Sequence, residues 1–161
     1  MNGIAIFDHL SSTSLGISGS IEFHQCSKND VTQISVNLQG FEPNRKYAAH
    51  VHNFGDLSQG CTSCGSHFNP FKQQHGSGKH RHVGDMQNNF ETDNKGKMKF
   101  TFTDDLISLF GPHDIYGRSV VIHTGIDDLG LGNNAESKKT GNAGGRLACV
   151  VIGRAKASPC T

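Results

Sequence analysis

Apolar residues recur at every second position in short runs, which is the periodicity of a half-buried strand. The alternation passes through Ile4-Ala5-Ile6, residues 17–23, Ile34-Ser35-Val36-Asn37-Leu38, Met98-Lys99-Phe100-Thr101-Phe102 and Val120-Val121-Ile122. Residues 48–52, 86–91 and 147–152 bring the candidate strands to eight, punctuated by the turn-like Lys28-Asn29-Asp30 and Asp93-Asn94-Lys95-Gly96. Such a pattern predicts an antiparallel barrel or sandwich. The 20 glycines, the absence of Trp and a hydrophobic content of 34% agree with many turns and leave no room for a long helix. A chain of 161 residues can bury a core of its own, so residues 1–161 are read as one domain.

Two stretches resist the strand pattern, residues 55–84 and 125–145, and loops of that length in a compact domain usually carry function. The histidines favour function here. His50 and His52 flank Val51 on a candidate strand, so both imidazoles lie on one face while Ala49 and Val51 turn to the other. His123 likewise faces outward if Val120 and Ile122 face inward, which puts any bound metal outside the barrel. His67, His75, His82 and Asp85 follow at spacings of eight, seven and three, a set suited to a loop wrapped around tetrahedral zinc. His50, His52 and His123 with a shared His67 give four imidazoles, a nitrogen set suited to copper. His80 is a rival to His82, and Lys79-His80-Arg81-His82 also reads as a small basic patch. His9, His24 and His113 are read as solvated or hydrogen-bonded structural histidines.

Five runs carry a family resemblance: His50-Val51-His52-Asn53-Phe54-Gly55-Asp56, Gly60-Cys61-Thr62-Ser63, His67-Phe68-Asn69-Pro70, His82-Val83-Gly84-Asp85 and Thr140-Gly141-Asn142-Ala143-Gly144-Gly145-Arg146-Leu147-Ala148-Cys149. Together they resemble the copper/zinc superoxide dismutases over residues 46–153, while the first 45 residues match mainly in strand pattern. The resemblance implies an eight-stranded antiparallel Greek-key barrel, related to the immunoglobulin-like sandwich, with two long functional loops. It implies one copper and one zinc ion per subunit. The copper ligands would be His50, His52, His67 and His123, and the zinc ligands His67, His75, His82 and Asp85, with His67 bridging the metals. Asp127 would hydrogen-bond one histidine of each site. Arg146 would attract and orient superoxide, and Glu136, Lys139 and Thr140 would shape the channel to the copper. The implied reaction converts two superoxide anions to oxygen and hydrogen peroxide as copper alternates between two oxidation states, with zinc structural.

The cysteines are less regular. Five are present, and a cytoplasmic chain ordinarily keeps all of them reduced. The resemblance nevertheless implies a disulfide between Cys61 and Cys149 and leaves Cys26 and Cys160 as free thiols. Cys64 completes a Cys61-Thr62-Ser63-Cys64 motif, but no second Cys-x-x-Cys follows and no strand-to-helix context supports a redox dithiol. The family commonly forms homodimers, here through Phe54, Gly55, Tyr116, Gly117 and Ile152, with Arg154 where an apolar contact is usual. Asn53 and Ala135 stand where many relatives carry acidic residues, which alters the channel charge. A proline pair near the last cysteine accompanies dependence on a copper chaperone in the family; Gly145 and Leu147 stand at those places, so the chaperone is expected to be dispensable.

Composition excludes other classes. A formal net charge of +1 gives no argument for nucleic acid or membrane partners, and Asp8 and His9 interrupt the apolar segment that a signal peptide needs, so a cytoplasmic location is expected. Gly130-Leu131-Gly132-Asn133-Asn134-Ala135 imitates a dinucleotide fingerprint without the strand-helix-strand unit that would give it meaning. A non-catalytic copper-delivery or copper-buffering module is the alternative function, and delivery relatives typically lose copper ligands that are all present here. A zinc hydrolase would need an open zinc position, which a four-ligand set does not leave.

Overall fold

The computed structural model describes residues 1–157 and 159–160. Nine strands follow in chain order: β1 Asn2–Phe7, β2 Ser18–His24, β3 Thr32–Gln39, β4 Lys46–His52, β5 Ser58–Cys61, β6 Asn89–Glu91, β7 Met98–Asp104, β8 Ser119–His123 and β9 Arg146–Arg154. A 3-10 turn at Thr62–Cys64 and a one-turn helix α1 at Ser137–Thr140 interrupt the two long loops. Eight strands form one antiparallel sheet in the order β6-β4-β8-β9-β1-β2-β3-β7, curled into a nearly closed barrel. These eight correspond to the eight candidate strands of the sequence, β6 only in part.

Alternation in sequence becomes alternation in burial. In β3, Thr32, Ile34, Val36 and Leu38 are buried and the residues between them are not. Ile34, Val36 and Leu38 pack with Ala5, Ile21, Val51, Phe90, Met98, Val120, Ile122 and Ile152 into one core inside the barrel. β4 and β8 depart from the rule: all of β8, and all of β4 after Lys46, is buried on both faces. Their inner faces carry Ala49, Val51, Val120 and Ile122, while the outer faces carry His50, His52 and His123 beneath the long loops.

The loop between β5 and β6 lies against the backbone of β4. Phe68 N donates to Val51 O, Val51 N to Gly84 O and Gly84 N to Phe68 O, each at 2.9 Å. Contact is so close that a Cβ on Gly84 would sit 2.1 Å from Val51 O, so only glycine fits. Arg81 fastens the same loop to the end of β7. Its guanidinium donates to Gly78, His82 and Val83 carbonyls and to Asp104 Oδ2 at 2.7 Å, all but the first in a buried setting. The basic-patch reading therefore fails for Arg81, while Lys79 and His80 are exposed.

Three other readings need correction. The strand expected over residues 86–91 begins only at Asn89, because Gln87 and Asn88 take positive φ and turn the chain. β5 has no apolar alternation in Ser58-Gln59-Gly60-Cys61 and gave no strand signal. Cys26 and Cys160 are joined by a disulfide instead of being free thiols. Past β9, Ala155 N donates to Asn2 O and Asn2 Nδ2 to Lys156 O, and Cys160 lies at the end of β2, bonded to Cys26.

The disulfide between Cys61 and Cys149 ties the metal-loop segment to β9 across a sequence separation of 88, and Cys64 lies buried beside it with a free thiol. Closing so long a loop restricts the unfolded chain, so Cys149→Ser is expected to cost about 2–5 kcal/mol. That corresponds to a fall of roughly 4–20 °C in Tm for a chain of this size. Calorimetry of the metal-free variant checks this, and an unchanged Tm would contradict it.

Candidate metal centre

Several rings of the histidine cluster have one nitrogen held by a hydrogen-bond acceptor. His50 Nε2 donates to Asp127 Oδ2 at 2.6 Å and His75 Nε2 to Asp127 Oδ1 at 2.8 Å. His52 Nδ1 donates to Gly65 O at 2.9 Å and His123 Nδ1 to Gly144 O at 3.3 Å. These acceptors carry no proton, so each fixes a tautomer and leaves a lone pair on the opposite nitrogen. The opposite nitrogens of His52 and His123 lie 3.2 Å apart. His50 Nδ1, His67 Nε2 and His75 Nδ1 are buried with no hydrogen-bond partner. An unpaired buried nitrogen is costly, and several within one cluster mark it as a place for cations.

The leftover atoms fall into two groups that share His67. His50, His52, His67 and His123 each offer a nitrogen, all within 4.8 Å of one another. The second group converges on a single oxygen. Asp85 Oδ1 lies 2.9 Å from His67 Nδ1, 3.1 Å from His75 Nδ1 and 3.1 Å from His82 Nδ1. Its other oxygen accepts from the backbone N–H of His82 at 3.0 Å and of Gly76 at 3.2 Å, which orients the carboxylate. By mutual distance alone, His50, His67, His75 and Asp85 also lie within 4.8 Å, because the His50 ring stacks on His67 at 3.9 Å.

Electrostatics follow the geometry. Burial, reinforced by His67, pushes His50 down to about 3, and burial pushes His123 down to about 4, so both lone pairs are free at neutral pH. Burial holds His52 and His67 below their ordinary value as well. Burial also acts against protonation of His75, but the carboxylates of Asp127 and Asp85 outweigh it and raise that ring to about 9. Although burial opposes their ionisation, hydrogen bonds from the histidines hold Asp85 and Asp127 far below the usual carboxylate range.

A cleft of about 1030 Å³ opens over His52, His67, His82 and His123. Arg146, Lys138, Lys139, Glu136, Thr140 and Ala135 line it. Arg146 is held by the loop around the Cys61 disulfide: Nη1 donates to Cys61 O and Nη2 to Gly65 O, both at 2.6 Å. Gly65 O thus serves both His52 and Arg146. Glu136 Oε1 accepts from Thr140 Oγ1 at 2.8 Å, leaving three cationic side chains against one carboxylate at the cleft. Asn53 does not line the cleft; its carbonyl accepts from Arg118 instead.

The family model described as copper/zinc superoxide dismutase matches residues 17–152. The chain belongs to that family. The dismutase is 51% identical to "Superoxide dismutase [Cu-Zn]" of Candida glabrata over 142 residues, 87% of this chain and 92% of the relative. It is 52% identical to the protein of that name from Saccharomyces cerevisiae over 140 residues, 86% of this chain and 90% of the relative. Its fold matches a solved structure described as the clock protein EA4 with a TM-score of 0.85 and 44% identity, covering 94% of this chain and 93% of that one. The chain is a copper/zinc superoxide dismutase with one copper and one zinc ion per subunit, and the two donor groups fit both ions. Nothing in the comparisons favours the copper-delivery alternative.

All seven residues picked out as ligand candidates meet in this one place, together with Asp127 and Arg146. His80 stays outside on the surface. Sequence reasoning missed Asn88, whose Nδ2 donates to Asp127 Oδ2 and Gly76 O, both at 3.0 Å, and Lys138 at the cleft. Position gave Lys138 no more weight than its neighbour Lys139, and Asn88 lay in a segment read as strand.

Proposed function

We propose that His50 Nδ1 and the Nε2 atoms of His52, His67 and His123 hold the copper, and that Asp85 Oδ1 and the Nδ1 atoms of His67, His75 and His82 hold the zinc. The observation that carries this reading is the pair of orphaned buried nitrogens, His50 Nδ1 and His67 Nε2, whose rings are each anchored at the other end. His50 has only Nδ1 to give, so it serves the copper group and leaves the zinc group to His82. When bound, copper supplies the one-electron change by which one superoxide becomes oxygen and a second, taking up two protons, becomes hydrogen peroxide. His67 lines the cleft, and its Nε2 is the atom that exchanges a proton between the two halves of the reaction. Asp127 locks His50 and His75 in tautomer and orientation, and so couples the two sites.

Arg146 is the anion-orienting residue in this reading. Its guanidinium is fixed by carbonyl groups on one side and lines the cleft on the other, while Lys138 and Lys139 add a positive field over the mouth. Arg146→Ala is expected to lower the dismutation rate about tenfold or more at low salt with copper and zinc content unchanged. Stopped-flow rates against ionic strength check this. A rate equal to that of the parent protein would remove Arg146 from the mechanism.

The same reading includes a homodimer. Phe54 is 55% exposed, Ile6 61% and Val151 38%, and Ile6 and Val151 line one shallow depression with Ile4 and Leu57. Ile152, expected on this face, is fully buried in the core, and Arg154 stacks on Tyr116 at 4.3 Å, covering an aromatic face that would otherwise be apolar surface. Sedimentation should show a dimer that Phe54→Glu converts to a monomer; a monomeric parent would refute the assignment. Gly145 and Leu147, in place of prolines, support maturation without a copper chaperone.

A further inference from the structure

Among the described residues, one further group of metal-ligating side chains lies apart from the centre: His24, Cys26 and Cys160, whose donor atoms all fall within 4.8 Å of one another. β2, which carries His24, stands four places from β4 in the sheet order, so this group shares nothing with the histidine cluster. The position is built from three separate parts of the chain. Asn2 on β1 holds two of them at once: its Nδ2 donates to Lys156 O on the tail at 2.7 Å, and its Oδ1 lies 2.6 Å from His24 Nδ1. The amide nitrogen is committed to a carbonyl, so the oxygen must face His24, and Nδ1 must be the protonated nitrogen of that ring. Nε2 therefore carries the lone pair. It points at the sulfurs, 3.2 Å from Cys26 Sγ and 3.9 Å from Cys160 Sγ. A ring oriented through its far nitrogen by an amide oxygen is the arrangement that supports metal-binding histidines.

We propose that His24 Nε2, Cys26 Sγ and Cys160 Sγ form a second metal site, for a thiophilic d10 cation such as zinc or copper(I), open only while the two cysteines are reduced. One imidazole and two thiolates make a soft donor set, which selects such ions over magnesium or calcium. Cys26 and Cys160 are exposed and His24 is half-buried, so solvent completes the coordination. Disulfide and metal exclude each other, since the sulfur electrons that bind the ion are those shared in the bond. Opening consumes two small-molecule thiols, which supply two electrons and two protons and leave as their own disulfide. Binding of a divalent ion then releases two thiol protons. Closing passes two electrons to the hydrogen peroxide that the enzyme itself produces: the two thiolates, one peroxide and two protons taken up from solvent give the disulfide, two waters and the freed ion. The tail would thus release its ion where product accumulates.

The test uses the holoenzyme, reduced with a phosphine, desalted and titrated with cadmium ion. Thiolate ligation gives an ultraviolet charge-transfer band, and the copper and zinc sites contain no sulfur. The reduced protein is expected to bind one cadmium ion with this band and the disulfide form none. Cys160→Ser should lose the band and His24→Gln should bind at least about tenfold more weakly, with superoxide dismutation unchanged in both. Three results would overturn the proposal: no band in the reduced protein, a band that survives Cys160→Ser and so belongs to other cysteines, or equal affinity in His24→Gln.

Discussion

Asp127→Ala is expected to lower the affinity for both metals, by about 10- to 100-fold each. The carboxylate is buried and accepts from four donors: His50 Nε2, His75 Nε2, Asn88 Nδ2 and the backbone N–H of Leu129. Removing it orphans all of them and frees the two rings to turn away from their ions. Each buried donor left without an acceptor costs about 1–3 kcal/mol, so the metal-free protein should also lose several kcal/mol of stability. Asp127→Asn separates these effects. An amide has one oxygen where the carboxylate has two, so His50 and His75 cannot both keep their partner, and one metal should be retained better than the other. Gly141 belongs to the same arrangement: its φ is +68°, and a Cβ there would lie 2.2 Å from Asp127 Oδ1. Metal content after dialysis against a chelator, measured beside activity, checks the series. Full retention of both ions by Asp127→Ala would show that the two sites are oriented independently.

His67→Ala should have the largest effect on activity. His67 has neither nitrogen anchored to a carbonyl or to Asp127: Nδ1 faces Asp85 and Nε2 is buried with no partner. In the proposed assignment its loss takes a ligand from each ion, and the dismutation rate is expected to fall by more than about 100-fold, beyond what losing a supporting hydrogen bond causes. His80→Ala is the matched control, because that ring is exposed on the same loop and should change nothing. Near-normal dismutation by His67→Ala would break the assignment of a shared imidazole.

How much of this was legible in the chain depends on how local each signal is. β3 was plain because one of its faces meets solvent, so a period of two is written directly into Thr32-Gln33-Ile34-Ser35-Val36-Asn37-Leu38. β4 gave a ligand pair for a similar reason, since His50 and His52 share a face by spacing alone. Pairing over long separations left no such trace. Arg81 looked like part of a surface patch because its partner Asp104 lies 23 residues onward. Cys26 and Cys160 are 134 positions apart and meet only in the folded chain. β5 forms without an apolar pattern in a segment fixed by the Cys61 disulfide. The turn at Gln87 and Asn88 uses positive φ without glycine, which hides it from turn chemistry while delivering Asn88 to Asp127. The candidate ligands that the structure brings together were thus written locally, and most of what holds them in position was not.

The most direct test of the shared-imidazole centre is anomalous diffraction from crystals of the metal-loaded protein, collected on either side of the copper and zinc absorption edges. The account predicts copper at His67 Nε2 and zinc at His67 Nδ1, on opposite sides of one ring. A single ion at the centre, or two ions with no imidazole between them, would contradict it.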